Sequence, residues 1–156
     1  MESEILKNEI FPAVLKRIKE RKDSLVNIGK FEARGLEGWF KVEIVAALAN
    51  TRHRVKDVRN KGVDLLLDSG IEIELKGQTN FVPREIYDGL KYGVPCLFLV
   101  SGRNENTIKK LKSYRDLEML CYEIFSDGFN KWIVGLIKPR FRNSLSQNKR
   151  SRNYTR

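Results

Sequence analysis

The chain of 156 residues has few of the side chains on which several common kinds of active site depend. It contains one histidine, His53, and two cysteines, Cys96 and Cys121, each within an apolar segment. Acid–base catalysis by paired histidines is therefore excluded, and a zinc site rich in histidine or cysteine is not expected. A Ser-His-Asp arrangement would have to use His53, which lies between two arginines and is expected at the surface. The cysteines are expected to be free core thiols in a reducing compartment.

Several sequence motifs and long apolar runs are also missing. There is no G-x-x-x-x-G-K-[ST] or G-x-G-x-x-G loop, which excludes the usual nucleotide-binding loops. The first residues show no basic-then-apolar signal pattern, and no apolar run approaches the roughly 18–20 residues that span a bilayer. A cytoplasmic protein without a membrane partner is expected. Carboxylates and lysines remain as the available chemistry, which favours metal-assisted hydrolysis.

The charge of the chain is strongly positive, and much of it lies near the C-terminus. The formal net charge is +10, and 41% of the residues are hydrophobic. We expect one domain over residues 1–142, followed by a flexible basic tail over residues 143–156. This balance favours an anionic partner, most commonly nucleic acid, although a tail that only improves solubility is the alternative. The cations expected to hold a phosphate backbone are Arg140, Arg142, Lys149, Arg150 and Arg152.

The sequence alternates between helical and strand-like segments. The predicted helices cover about residues 3–22, 36–50, 83–92 and 106–117, and a loop is predicted near residues 27–35. The predicted strands cover residues 53–59, a hairpin over 64–76, a fully buried strand over 96–100, and a closing pair over 119–125 and 131–137. A strand, a helix and a buried strand in succession indicate a right-handed crossover. We therefore predict an α/β fold with a mixed central sheet flanked by helices.

The hairpin over residues 64–76 is the most informative segment. The turn Asp68-Ser69-Gly70 fits a three-residue loop with glycine in the left-handed position. In the second strand aliphatic residues alternate with Glu72, Glu74 and Lys76, so one face is aliphatic and the other is charged. The charged face is the candidate functional surface.

The register of this hairpin decides which acids meet. If Leu67 pairs with Ile71, Asp64 lies directly opposite Glu74, and opposed residues have Cβ atoms about 4.5–5.5 Å apart. Two like charges so close repel unless a cation lies between them. Mg²⁺ is the obvious candidate, because it is usually held by one or two carboxylates together with water and substrate phosphate.

The predicted helix over residues 36–50 carries two acids in different settings. Glu37 has Lys41 at i+4, which predicts an ordinary stabilising surface pair. Glu43 lies among apolar residues with no cation at i±3 or i±4, so it needs a partner from elsewhere. A metal ion, an arginine from another element and Lys76 are the three alternatives.

The order of these residues resembles the PD-(D/E)xK nuclease superfamily. The resemblance covers roughly residues 37–100 and rests on Asp64, on Glu74-Leu75-Lys76, and on Glu43 as the upstream helix acid. Val63 stands where the name of the superfamily places proline. The pattern is similar to that of the compact archaeal Holliday junction resolvases and the restriction-type nucleases.

The resemblance implies a restriction-endonuclease-like fold with its catalytic core over about residues 36–100, and a Mg²⁺-dependent endonuclease that hydrolyses DNA phosphodiester bonds, with Mn²⁺ as a substitute. The implied catalytic residues are Glu43, Asp64, Glu74 and Lys76. The metal would be held by Asp64, Glu74, the backbone carbonyl of Leu75 and Glu43, the last directly or through water. Lys76 would orient the attacking water or stabilise the transition state. Gln78 would point toward the site or lie at the surface.

Other functions stay open at this point. The same fold could resolve branched DNA, which would require a symmetric homodimer. It could instead bind DNA or a protein with an idle site, or act on RNA. A cleavage assay with Mg²⁺ or Mn²⁺ separates the enzyme from the idle module.

Overall fold

The computed structural model describes residues 1–31, 36–59, 62–79, 83–101 and 106–140. The helices are α1 (Glu2–Ile5), α2 (Phe11–Glu20), α3 (Lys22–Phe31), α4 (Leu36–Leu48), α5 (Pro83–Gly89) and α6 (Asn106–Ser113). A π-helical turn, Leu6–Ile10, joins α1 to α2, and a 3₁₀ turn, Leu90–Tyr92, follows α5. The strands are β1 (Val55–Val58), β2 (Leu65–Leu67), β3 (Glu72–Gln78), β4 (Cys96–Ser101), β5 (Leu117–Ser126) and β6 (Lys131–Pro139).

The six strands form one mixed sheet in the order β1-β2-β3-β4-β6-β5. Strands β3 and β4 are parallel, and every other neighbouring pair is antiparallel. Parallel strands need a crossover connection, and α5 provides the one between β3 and β4. The predicted α/β class with a mixed sheet and flanking helices is therefore confirmed.

Hydrophobic residues cover both faces of the sheet. On one face α2, α3 and α4 pack against the aliphatic side of β3, with Phe40 and Trp132 among the largest buried side chains. On the other face α5 and α6 cover Phe98 and Val100 of β4. Every residue of β4 is buried, as expected for a central strand covered on both sides. The charged side of β3 thus faces α5.

The N-terminal helical segment follows the predicted range but is not a regular helix throughout. Pro12 occupies the start of α2, and the π-helical turn lies directly before it. Proline lacks the N–H that an interior helical residue donates and its ring crowds the preceding turn, which accounts for the wider turn at this point. No helix within the described ranges has both the length and the apolar character needed to cross a bilayer.

Two of the predicted segments need correction in the fold. The prediction of a loop near residues 27–35 is wrong for residues 27–31, which belong to α3. The helix forms here because Leu25 is buried in the core and Ile28 packs against that core. Residues 32–35 lie outside the described residues. Helix α6 ends at Ser113, before the predicted residue 117. Both cysteines are free, as expected, although Cys121 is only half-buried.

His53 was expected at the surface and is instead 3% exposed. Its Nε2 contacts the carboxylate of Glu9, and its Nδ1 lies 3.3 Å from the hydroxyl oxygen of Ser69. The N–H groups on either side of Ser69 donate to Arg54 and Leu67 carbonyls, so neither is available to stabilise an oxyanion. This cluster joins the N-terminal helices to the hairpin turn and is a structural contact.

Candidate active site

The hairpin of β2 and β3 adopts the predicted register. Leu65 pairs with Ile73, and the N–H of Leu67 donates to the carbonyl of Ile71 at 2.9 Å. Gly70 has φ +84°, the left-handed conformation that a three-residue loop requires and that glycine adopts without a steric cost. Continuing this register by one residue places Asp64 opposite Glu74, as the sequence analysis predicted.

Asp64 lies directly before β2 and is held at both carboxylate oxygens. Its Oδ2 accepts a hydrogen bond of 2.8 Å from the backbone N–H of Leu75. Its Oδ1 lies 3.3 Å from the ammonium nitrogen of Lys41 on α4. The first contact fixes the carboxyl group against β3, and the second brings a helix-borne cation to the same place.

Glu74 is the most deeply buried acid of this group, with 6% of its surface exposed. Its Oε1 lies 3.8 Å from the ammonium of Lys76, whereas its Oε2 is buried and has no hydrogen-bond partner among the described residues. Burial first, and then the neighbouring Asp64 carboxylate, raise the pKa of Glu74 to about 7, against the opposing effect of Lys76. A buried carboxylate oxygen without a partner is unusual, and a bound cation would satisfy it.

The start of α4 brings a third acid, Glu37, close to β3. The helix approaches β3 so closely that a Cβ on Gly77 would lie 2.8 Å from the Cα of Glu37. Burial raises the pKa of Glu37; the Lys76 ammonium opposes this shift and the Asp64 carboxylate adds to it. Glu37 therefore belongs electrostatically to the Asp64–Glu74 group.

Glu43, the predicted helix acid, is engaged by two arginines in the structure. Its carboxylate is buried against the N-terminal helices, where the Nε of Arg17 lies 2.6 Å from Oε2 and the Nε of Arg21 lies 3.5 Å from Oε1. Of the alternatives stated for its partner, an arginine from another element is the one observed. Glu43 is thus neutralised in an ion pair between α2 and α4, and the charges acting on Asp64 and Glu74 come from elsewhere.

Two further residues of the site were missed by the sequence analysis. Lys41 was expected to pair with Glu37 at the surface, but its ammonium binds Asp64. Gly89, the last residue of α5, forms the wall beside Lys76, because a Cβ there would lie 3.0 Å from Lys76 Cε. The i+4 spacing places Glu37 and Lys41 on one helix face. A helix that turns Glu37 toward β3 therefore turns Lys41 the same way, and this spacing was the signal that could have identified Lys41.

The remaining predicted residues lie around or outside this group. Gln78 donates to the carboxylate of Glu85 on α5, so its amide is engaged at the end of the strand. Leu75 contributes its N–H to Asp64. Arg140 follows β6 and its Nε donates to the carbonyl of Leu117 at 3.0 Å. The tail over 143–156 lies outside the described residues, as do Arg142, Lys149, Arg150 and Arg152.

Substituting Gly77 with alanine tests the close approach that brings Glu37 to the site. The added methyl group would meet the backbone of α4 at 2.8–2.9 Å, so we expect a loss of about 1–3 kcal/mol in the free energy of unfolding, typical of overpacking. Gly38, one residue after Glu37, has nothing within 4 Å of an added Cβ. Alanine there should stabilise α4 by up to about 1 kcal/mol. Urea denaturation compares the two, and equal stabilities would contradict the close approach.

Comparisons with protein-family models, with curated proteins and with solved structures gave no match to this chain. Within the parts of the chain that the structure describes, no group of three or more histidine, cysteine, aspartate or glutamate side chains is arranged as a ready metal site. Function must therefore be argued from the acids and lysines themselves.

Proposed function

We propose that the protein is a metal-dependent DNA endonuclease with a PD-(D/E)xK-type site. The observation that carries the proposal is the hairpin register, which by extension places Asp64 opposite Glu74, together with the buried Oε2 of Glu74, which has no hydrogen-bond partner among the described residues. The Asp64 carboxylate repels that of Glu74, as the raised pKa of Glu74 reflects. Their burial is costly unless a cation offsets it. The same face of β3 also presents Lys76, whose side chain is partly exposed.

The order of elements around the acids supports this proposal. Helix α4, the antiparallel strands β1 to β3, the crossover helix α5 and the parallel strand β4 follow one another along the chain. The acids come from the start of α4 and from the β2–β3 hairpin, as in the order that the sequence resemblance implied. We infer a restriction-endonuclease-like arrangement in which Glu37 takes the place first expected for Glu43.

The donor set fits a hard divalent cation such as Mg²⁺, because carboxylate and carbonyl oxygens are its preferred protein ligands. Asp64, Glu74 and the backbone carbonyl of Leu75 would hold the ion, with Glu37 contributing directly or through water. When bound, it would lower the pKa of a coordinated water and neutralise charge on the phosphate. Mn²⁺ favours the same ligands and should substitute.

The chain's own residues then have distinct tasks. Asp64 is oriented by the N–H of Leu75, so its carboxylate is fixed before any ligand arrives. Lys76 lies 3.8 Å from Glu74 with a quarter of its side chain exposed, and it can place its ammonium against a phosphodiester oxygen as negative charge develops there. Gly89 leaves room for the Lys76 side chain to lie along α5.

DNA is the proposed substrate because the chain is basic, with a net charge of +10. Phosphate contacts from lysine and arginine supply most of the sequence-independent affinity for DNA. The cations after residue 140 are the proposed source of such contacts.

The proposal is tested by incubating the protein with supercoiled, linear, single-stranded and four-way-junction DNA, each with Mg²⁺, Mn²⁺ or EDTA. Cleavage that requires the divalent cation is the expected result, and the preferred substrate separates a general endonuclease from a resolvase. Binding without cleavage under every condition would make the protein an idle DNA-binding module. Equal cleavage in EDTA would contradict the metal site.

A further inference from the structure

Two ammonium groups enter the acid cluster from different elements. Lys76 comes from β3 and lies 3.8 Å from Glu74, and Lys41 comes from α4 and lies 3.3 Å from Asp64. Each lysine side chain is 25% exposed, so each can reach solvent from its present position. Lys76 belongs to the strand motif, whereas nothing derived so far requires a lysine at position 41.

The two oxygens of Asp64 are held in different ways. Oδ2 accepts the 2.8 Å hydrogen bond from the N–H of Leu75 within the sheet. Oδ1 is held by Lys41, whose ammonium sits at the end of a flexible four-carbon chain. The contact with Leu75 is fixed by the backbone, and the contact with Lys41 can be exchanged for another cation.

We propose that Lys41 is a phosphate-binding lysine, which Asp64 holds in the free protein and releases to the DNA backbone when a divalent cation occupies Asp64. This inference rests on the proposed function and adds a substrate contact to the same site. No covalent bond changes: the Lys41–Asp64 ion pair is replaced by a cation–Asp64 contact and by an ammonium–phosphate contact. Lys41 and Lys76 then present two positive charges to one phosphodiester.

The charge of the site changes in the direction that this exchange requires. When ionised, the carboxylates of Glu37, Asp64 and Glu74 exceed the two ammonium groups by one negative charge, which repels a phosphate. A divalent cation reverses the sign to one net positive charge. The site is therefore expected to reject the DNA backbone until the cation arrives and to attract it afterwards.

The substitution Asp64→Asn imitates the release without any metal. It removes the charge that holds Lys41, while the asparagine side-chain oxygen can still accept the hydrogen bond from Leu75. DNA binding is measured in EDTA for the wild-type protein, Asp64→Asn, Lys41→Met and the double variant, by fluorescence anisotropy with a labelled duplex over a range of salt concentrations.

We expect Asp64→Asn to bind DNA about tenfold more tightly than the wild type and to steepen the slope of log K against log salt by about one, as for one additional phosphate contact. In the Lys41→Met background the same substitution should change affinity by no more than about twofold, with an unchanged slope. The same comparison is made in the Lys76→Met background as a matched control. Lys41 is intact there, so the gain from Asp64→Asn should persist. Lys41→Gln replaces Lys41→Met if the latter does not fold.

An equal gain from Asp64→Asn with and without Lys41 would overturn this inference and leave the nuclease proposal standing. If none of the four proteins binds DNA, both the inference and the proposed DNA substrate are wrong. A gain confined to proteins that retain Lys41 supports the exchange whether or not cleavage is observed.

Discussion

Glu74→Gln is expected to reduce DNA cleavage by at least about a hundredfold, the cost of losing a group that acts directly on the transition state. Glutamine keeps the shape of the side chain but removes the charge that would hold a cation beside Asp64. The rate is measured on supercoiled plasmid with saturating Mg²⁺. Glu72→Gln is the matched control, because Glu72 lies two residues earlier on β3 with its carboxylate 3.8 Å from Arg59, and it should retain near-normal activity.

The same substitution should alter how stability depends on pH. The pKa of Glu74 is raised to about 7 in the folded protein by burial and by Asp64, from 4.5 as its ordinary value. The folded state therefore binds the proton more tightly than the unfolded state, and wild-type stability falls as the pH rises from about 4.5 to about 7. At 1.36 kcal/mol per pH unit the penalty above pH 7 reaches up to about 3 kcal/mol.

Glu74→Gln removes this penalty, so the variant should be more stable than the wild type at pH 8 and similar to it at pH 4. Mg²⁺ should stabilise the wild type at pH 8 and leave the variant unchanged, because a ligand that binds only the folded state raises the free energy of unfolding. Urea denaturation at the two pH values measures both effects. A variant that is less stable than the wild type at pH 8 would contradict the electrostatic account of this site.

The part of the site that could be predicted from the sequence is the part built by local pairing. The turn at Gly70 and the alternation along β3 fix a register in which Asp64 faces Glu74, and both signals lie within a few residues of each other. The mixed sheet was predictable for the same reason, since each strand and the crossover helix α5 carry their own patterns.

The errors came from contacts between segments distant in sequence. The partner of Glu43 stayed undecided among three alternatives because its arginines, Arg17 and Arg21, belong to the N-terminal helical region. His53 seemed exposed because Glu9, which helps to bury it, lies 44 residues away. Both contacts join the N-terminal helical region to α4 or to the segment that follows it, and a single sequence does not show which surfaces of distant segments meet.

Exchanging the two acids of α4 for glutamine one at a time should separate catalysis from stability. Glu37→Gln removes a carboxylate from the Asp64–Glu74 group, and we expect a loss of activity of about tenfold to a hundredfold, typical of a residue that supports metal ligands. The free energy of unfolding of Glu37→Gln should not fall below that of the wild type. Burial raises the pKa of Glu37 and so disfavours its charged form, and the neutral glutamine avoids this cost.

Glu43→Gln should have the opposite pattern. It leaves Arg17 and Arg21 without a buried counter-charge, and breaking such a pair costs about 3–5 kcal/mol when both partners are buried. The arginine side chains here are 36% and 47% exposed, so water offsets part of this cost and about 1–3 kcal/mol is expected for the pair. Activity per folded molecule should remain within about threefold of the wild type, because the ion pairs of Glu43 are with Arg17 and Arg21 and not with a proposed metal ligand.

Plasmid cleavage at a temperature where both variants are folded, combined with urea denaturation, measures the two properties independently. A large loss of activity in folded Glu43→Gln would restore Glu43 as the helix acid. Full activity in Glu37→Gln would show that Glu37 is not needed for cleavage, and that Asp64, Glu74 and the two lysines are the functional groups of the site. The observed geometry argues against both of these results. Glu37 lies at the helix start that meets Gly77, whereas Glu43 is turned toward α2.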